Sequence, residues 1–237
     1  MPASADRVGL VFVSHSAKIA AGLVELARQM APTVRLVAAG GTDEGTIGTS
    51  FDMITTALAE AEGGAGVVIL CDLGSAILTA EMARDFLDQA KQDQVQIVDA
   101  PLVEGGVAAA VAAEIGGDLK AVVAAARSAL QPAHAGEPSA DADAGTADPA
   151  EAGEISRTVI LVNRDGLHAR PAAEFVSLAS TFAVPLTVNG TDATSLLSIM
   201  SLGLARGSSV HLASTDPAAG PAISALAALL ESGFGEA

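Results

Sequence analysis

Over the first 130 positions, short unbroken apolar runs alternate with longer stretches of helical spacing. The run VGLVFV at 8–13 has no polar interruption, the pattern of a strand buried on both faces. In IAAGLVELARQM (19–30), Ile19, Leu23, Leu26 and Met30 recur at helical intervals and predict one apolar helix face. VRLVAA (34–39), GVVILCD (66–72) and QVQIVDA (94–100) read as further strands. FDMITTALAEAE, a stretch from about Ser75 to Gln89 and another from about Glu104 read as helices, with the Gly/Thr-rich loop GGTDEGTIGTS before the first of them. This alternation predicts an α/β unit, a mostly parallel sheet with helices on both faces. In such sheets ligands gather beyond the carboxyl ends of the strands.

The pattern changes towards the C-terminus. TVILVN (158–163) leads into GLHARPAAEFVSLAST, where Leu167, Phe175, Val176, Ala179 and Phe182 keep helical spacing. VPLTVNG, a short helix-like SLLSIMSLGL, the strand SSVHLAS and a closing helix from Pro217 to about Ser232 complete β-α-β-(β)-α-β-α. That order predicts an α+β open-faced sandwich, with helices on one side of an antiparallel sheet. Between the two patterns, residues 131–153 hold three prolines, five acidic residues, no Lys or Arg, and nothing apolar larger than alanine. Too little surface can be buried there to offset the entropy of ordering. The expected organisation is therefore a first domain over 1–130, a flexible acidic linker over 131–153 and a second domain over 154–237. As a coil, the linker would hold its ends about 25–30 Å apart on average.

Charge narrows the partners. The formal net charge of −16 divides as −8 for residues 1–131, −5 for 132–153 and −3 for 154–237. Such an excess argues against nucleic acid or an anionic membrane as partner. No apolar run reaches the roughly 18 residues of a membrane span. The start MPASADRVGLVFV lacks the shape of a signal peptide, which implies a cytoplasmic protein. The single cysteine, Cys71, excludes an internal disulfide and a cysteine-cluster metal site, and reads as a small buried hydrophobe. No histidine pair has zinc-ligand spacing and no phosphate-binding G-x-x-x-x-G-K-[ST] loop is present, so neither a metal nor a bound nucleotide cofactor is expected.

Two histidines stand out because each closes a predicted strand and precedes a helix. His168 lies in GLHARPA, with Pro171 in the first helical turn, where its missing N–H costs nothing. The unpaired amides of that turn favour an anion, and Arg170 adds a permanent charge with a fork suited to phosphate oxygens. An imidazole can attack as a neutral base, so the group suits a phosphoryl held covalently on nitrogen. Taken alone, H-x-R is equally a capping histidine beside a surface arginine. His15, in FVSHSAK, stands at the carboxyl edge of the first sheet. Asp72 ends another strand and could orient the His15 ring through its far nitrogen, or could simply cap the next helix. Gly74 and Ser75 open that helix and could receive phosphate oxygens, while Gly40, Gly41, Thr42, Thr46 and Gly48 form a loop able to complete a cradle. His134 in the linker reads as incidental and His211 as a surface residue on a strand.

GLHARPAAEFVSLAS together with SLLSIMSLGLARGSSVHLAS resembles HPr, the histidine phosphocarrier of the phosphoenolpyruvate-dependent phosphotransferase system, over about 157–234. The resemblance implies that His168 carries the phosphoryl group on Nδ1, with Arg170 stabilising it, and that Ser195 falls at the position of a regulatory serine. Thr194 replaces the usual lysine, and a shortened interval from His168 to Ser195 implies a truncated third strand. VSHS (13–16), AAGGTDEGTIGTS (38–50), DLGSAILTAEMA (72–83) and APLVEGGVAAAV (100–111) resemble the phosphotransferase (DhaM-type) subunit of phosphoenolpyruvate-dependent dihydroxyacetone kinases, itself similar to mannose-type EIIA domains, over about 7–130. This implies phosphorylation of His15 and a relay from Enzyme I, supplied in trans, through His168 and His15 to ADP. ADP and Mg²⁺ would sit on a nucleotide-binding kinase subunit, with dihydroxyacetone on another. Free HPr could act as an alternative donor, and the first domain would form a homodimer. DLGSA fits the kinase subunit better than the sugar-transporting mannose proteins; an EIIA component of such a transporter and a regulatory module remain the alternatives.

Overall fold

The computed structural model describes residues 7–130 and 154–235, so the expected linker at 131–153, with His134, lies outside the described residues. The chain divides into two compact units. The first runs β1 (Gly9–Ser14), α1 (Ala17–Arg28), β2 (Leu36–Gly40), α2 (Phe51–Ala61), β3 (Val67–Cys71), α3 (Gly74–Asp85), the single turn α4 (Gln89–Gln92), β4 (Val95–Val98), α5 (Leu102–Glu114) and α6 (Leu119–Ser128). Its four strands are all parallel, in the order β2-β1-β3-β4.

Both faces of this sheet are covered, which is why its strands read as continuous apolar runs. On one face Val11, Val13, Val67, Ile69 and Cys71 pack against Ile54, Ala57, Leu58 and Ala61 of α2 and against Ala76, Ala80 and Ala83 of α3. On the other, Phe12 meets α1 and α5. A Cβ built at Gly106 of α5 would lie 3.0 Å from the Phe12 ring and 3.3 Å from Leu23, so a side chain there requires these neighbours to give way.

Three local expectations differ from the structure. In α1 the buried residues are Ala20, Leu23, Val24 and Ala27, whereas Ile19 and Leu26 are 51% and 43% exposed. The helix lies so close to the end of β2 that a Cβ at Gly40 would come within 2.8 Å of the Ala20 Cβ, so only a small residue fits at that point of the inward face, which Leu23 and Val24 complete. The expected helix to Gln89 ends at Asp85, and α4 follows as a separate turn; the Gln92 side-chain amide donates to Asp85 O and Leu87 O across the break. The helix expected from about Glu104 divides at Gly116–Gly117, after which Asp118 caps α6 by accepting from Ala121 N at 2.8 Å.

The second unit runs β5 (Ile155–Ile160), α7 (Ala169–Ala179), β6 (Thr187–Val188), β7 (Thr191–Asp192), α8 (Leu196–Ser201), β8 (Ser209–Ser214) and α9 (Gly220–Glu231). Its sheet is antiparallel, in the order β5-β8-β6-β7, and β7 has only two residues. Leu167, Phe175, Val176 and Ala179 are buried in its core with Leu212, Leu226 and Leu230, while Phe182 is only half-buried. Among the described residues of both units, no helix is long and apolar enough to cross a membrane.

The close passage of α5 over Phe12 gives a direct test. Gly106→Val is expected to lower the unfolding free energy by about 1–3 kcal/mol, in urea titrations, because overpacking at this contact outweighs the gain in helix propensity.

Candidate functional site

The order β2-β1-β3-β4 reverses direction between β1 and β3: the chain leaves β1 towards β2, then returns to the other side of β1. Such a switch point opens a crevice at the carboxyl ends of the two neighbouring strands. His15 follows β1 directly and Asp72 follows β3 directly, so the topology sets them side by side. The two side chains are 20% and 16% exposed.

Asp72 takes four hydrogen bonds. Oδ2 accepts from the main-chain N–H of His15 at 2.8 Å and from the Ser14 hydroxyl at 2.8 Å. Oδ1 accepts from the Leu73 N–H at 2.8 Å and from His15 Nδ1 at 2.9 Å. An ionised carboxylate offers about four such positions, so this one is saturated. Burial alone pushes the Asp72 carboxyl up. The bonds from the His15 main chain, the His15 ring and the Ser14 hydroxyl, with the charge of the ring, outweigh burial and leave it below its ordinary value of 3.8. Asp72 is therefore ionised at neutral pH and can only accept, which places a proton on His15 Nδ1. In the neutral ring the lone pair then belongs to Nε2, which receives the Ser75 hydroxyl at 2.7 Å. The result is an imidazole of fixed tautomer with its unprotonated nitrogen against the Ser75 hydroxyl.

Gly74 and Ser75 are the first residues of α3, whose N-cap, Leu73, provides no side-chain cap. The capping position thus falls on Leu73 and not on Asp72. Thr79 of α3 donates to Ser75 O at 3.0 Å and its hydroxyl lies 3.0 Å from that of Thr49. The loop after β2 touches the site through the main chain: Gly41 N donates to Ser14 O and Gly48 N to His15 O, each at 3.0 Å. Gly40 packs against the start of α1, where a Cβ would lie 2.7 Å from Ser16 O. Thr42 and Thr46 bond each other, hydroxyl to hydroxyl at 2.7 Å and Thr42 N to Thr46 O at 3.0 Å, so they close their own loop. Cys71 is buried and its thiol is pushed up to about 12, by burial first and then by the charges of Asp72 and Glu81, which leaves it unreactive.

In the second unit His168 occupies the N-cap position of α7, with extended backbone (φ −76°, ψ −178°) and an exposed side chain. The turn that presents it is locked from behind. Gly166 sits at φ +71°, where a Cβ would run into Leu204 O, and Leu167 N donates to that same oxygen at 2.8 Å. Asn163, fully buried, donates its side-chain amide to Gly166 O. Arg170 lies exposed in the first turn of α7 and Pro171 is buried beside it. Ser195 is the N-cap of α8; its hydroxyl accepts from Ser198 N at 3.4 Å and lies 2.8 Å from the Ser198 hydroxyl. His211 is exposed on β8, as its alternation with Val210 and Leu212 implies.

Ser14, which holds the far oxygen of Asp72, and Gly48, whose N–H reaches His15 O, carry no distinctive mark in the sequence. A serine ending a strand has no periodic signature; its only trace is adjacency to His15.

Comparison with known proteins now places both units. The family model described as "PTS system fructose IIA component" matches residues 9–123, and that described as "PTS HPr component phosphorylation site" matches residues 155–232. The chain thus joins in tandem two units matching phosphotransferase-system families. It is 44% identical over 105 residues to the phosphoryl donor subunit DhaM of dihydroxyacetone kinase 2 from Listeria innocua, covering 44% of this chain and 84% of that protein. It is 37% identical over 114 residues to the corresponding subunit from Lactococcus lactis, covering 48% of this chain and 89% of that one. The chain belongs to the family of phosphoryl donor subunits of phosphoenolpyruvate-dependent dihydroxyacetone kinases. With the member from Escherichia coli K12 it shares 35% identity over 240 residues, 97% of this chain, yet it spans about half (51%) of that protein's length.

Asp72→Asn keeps the shape but replaces one acceptor oxygen by a donor that must face other donors. It is expected to shift the neutral His15 ring towards the tautomer protonated on Nε2, seen by ¹⁵N NMR, and to slow reaction at Nε2 by on the order of 10²-fold or more. Because the folded carboxyl lies below its unfolded value, its stabilisation is complete above about pH 5 and fades as pH falls through the unfolded and then the folded value. The stability gap between wild type and Asp72→Asn should therefore close on acidification below that point.

Proposed function

We propose that this chain is a phosphoryl relay, a phosphotransferase working through two phosphohistidines, that takes phosphate originating from phosphoenolpyruvate and delivers it to ADP on a dihydroxyacetone kinase. Enzyme I places the phosphoryl group on His168, by family resemblance on Nδ1, with Arg170 and the first amides of α7 neutralising its oxygens. The Nε2 lone pair of His15 then attacks phosphorus as the bond to the departing imidazole breaks. Finally an oxygen of the ADP β-phosphate attacks, and His15 leaves as an imidazole whose Nδ1 proton Asp72 has held throughout. The observation that carries this reading is the saturated Asp72, which fixes the proton on Nδ1 and leaves Nε2 as the sole nucleophile of a ring at the sheet's switch point.

Other features support the same reading. The uncapped start of α3, at Gly74 and Ser75, offers amide dipoles to phosphoryl oxygens, and the Ser75 hydroxyl can turn from Nε2 to the phosphoryl once Nε2 is occupied. Gly48 brings main chain onto His15, Gly41 onto Ser14 and Gly40 onto Ser16. Thr42 and Thr46 act indirectly, by closing the loop that carries Gly48. Each transfer is a near in-line displacement in which positioning and charge neutralisation do most of the work. The partners are Enzyme I, free HPr as an alternative donor, and the ADP-binding and dihydroxyacetone-binding kinase subunits, the first of which holds Mg²⁺. Homodimerisation through the first unit, a cytoplasmic location and modification at Ser195 belong to the same reading by resemblance.

The test is formation of dihydroxyacetone phosphate from phosphoenolpyruvate with Enzyme I, this chain and the two kinase subunits, without free HPr. His168→Ala is expected to abolish turnover and added free HPr to restore it. His15→Ala should abolish turnover that no HPr restores, while His168 still takes up acid-labile phosphate. Phosphate on both histidines without turnover would instead favour a sugar-transporter component or a regulatory module.

A further inference from the structure

We propose that Ser14 is a positioning residue for transfer at His15 and acts through Asp72, an inference that rests on His15 being a phosphoryl carrier. Ser14 is the last residue of β1 and is 0% exposed. Its hydroxyl lies 3.1 Å from Ser16 N and 2.8 Å from Asp72 Oδ2. An N–H can only donate, so the oxygen accepts from Ser16 and its own proton is directed at the carboxylate. One hydroxyl thereby joins the end of β1, the end of β3 and the start of α1.

The four donors to Asp72 are not equivalent. Two are main-chain N–H groups, of His15 and Leu73, that almost any residue would supply, and the third is the His15 ring itself. Ser14 is the one donor that depends on the identity of a side chain other than the reacting histidine. Without it, Oδ2 retains only the His15 N–H, and the carboxylate gains freedom to rotate Oδ1 away from Nδ1. Solvent does not reach the Ser14 side chain, so water would not readily replace the lost bond. The weakened hold on the Nδ1 proton lets more of the neutral ring carry its proton on Nε2, the form that cannot attack phosphorus. The main-chain role of Ser14, whose carbonyl accepts from Gly41 N, survives side-chain substitution.

A double-mutant cycle on the full chain tests this, with His168→Ala so that acid-labile label reports His15 alone, and with phosphoenolpyruvate, Enzyme I and free HPr as donor system. Ser14→Ala is expected to slow label uptake about 10-fold with Asp72 intact. In the Asp72→Asn background it should change the rate by less than about 2-fold, since the residue through which it acts is already impaired. Ser14→Cys, close in size but a weak donor, should behave like alanine, and ¹⁵N NMR of the unphosphorylated Ser14→Ala chain should show more Nε2-protonated His15. Equal losses in both Asp72 backgrounds, or an unchanged tautomer, would overturn the proposal while leaving the relay standing. Absence of label on His15 with Ser14 intact would remove the relay reading, and this inference with it.

Discussion

The first unit depends on one carboxylate. Asp72 joins two adjacent strand ends, fixes the His15 ring and receives the main chain where α3 begins. A partly buried carboxylate is stable only when donors replace the water it loses. Here the donors come from residues 14, 15 and 73, so the parallel pairing of β1 with β3 both creates the need for these bonds and supplies them. The same arrangement gives the histidine a defined tautomer, since a fully ionised acceptor compels a proton on the nitrogen facing it. Fold and chemistry meet in a single set of hydrogen bonds.

The second unit presents its histidine differently. The main chain of the turn before His168 is locked by Gly166, Asn163 and Leu204, and the histidine follows at the N-cap of α7. His15 is held by side-chain bonds at the carboxyl ends of β1 and β3, and His168 is exposed at the start of a helix.

Much of the architecture was legible from residue patterning, for identifiable reasons. Strands buried on both faces have to be continuous apolar runs, and VGLVFV could be little else. The antiparallel unit was readable from GLHARPA and the alternating SSVHLAS. Less legible was anything set by close helix approach. The inward face of α1 includes Ala20 and Ala27 beside Leu23 and Val24, and no hydrophobicity ranking singles out those alanines over Ile19 and Leu26. Gly116, Gly117 and Asp118 did carry the signal of a helix stop and restart, hidden within an alanine-rich run. The meeting of His15 with Asp72 was legible only as one of two roles for Asp72, since the strand order that decides between them is not encoded locally, and the contribution of Ser14 is visible only once those two residues meet.

The central claim is that Asp72 assigns the nitrogens of His15. It is tested most directly by ¹⁵N–³¹P NMR on the ¹⁵N-histidine-labelled chain after phosphorylation by phosphoenolpyruvate, Enzyme I and HPr. The account predicts that the His15 phosphoryl group is bonded to Nε2 while Nδ1 keeps its proton. A phosphoryl group bonded to Nδ1 of His15 would contradict it.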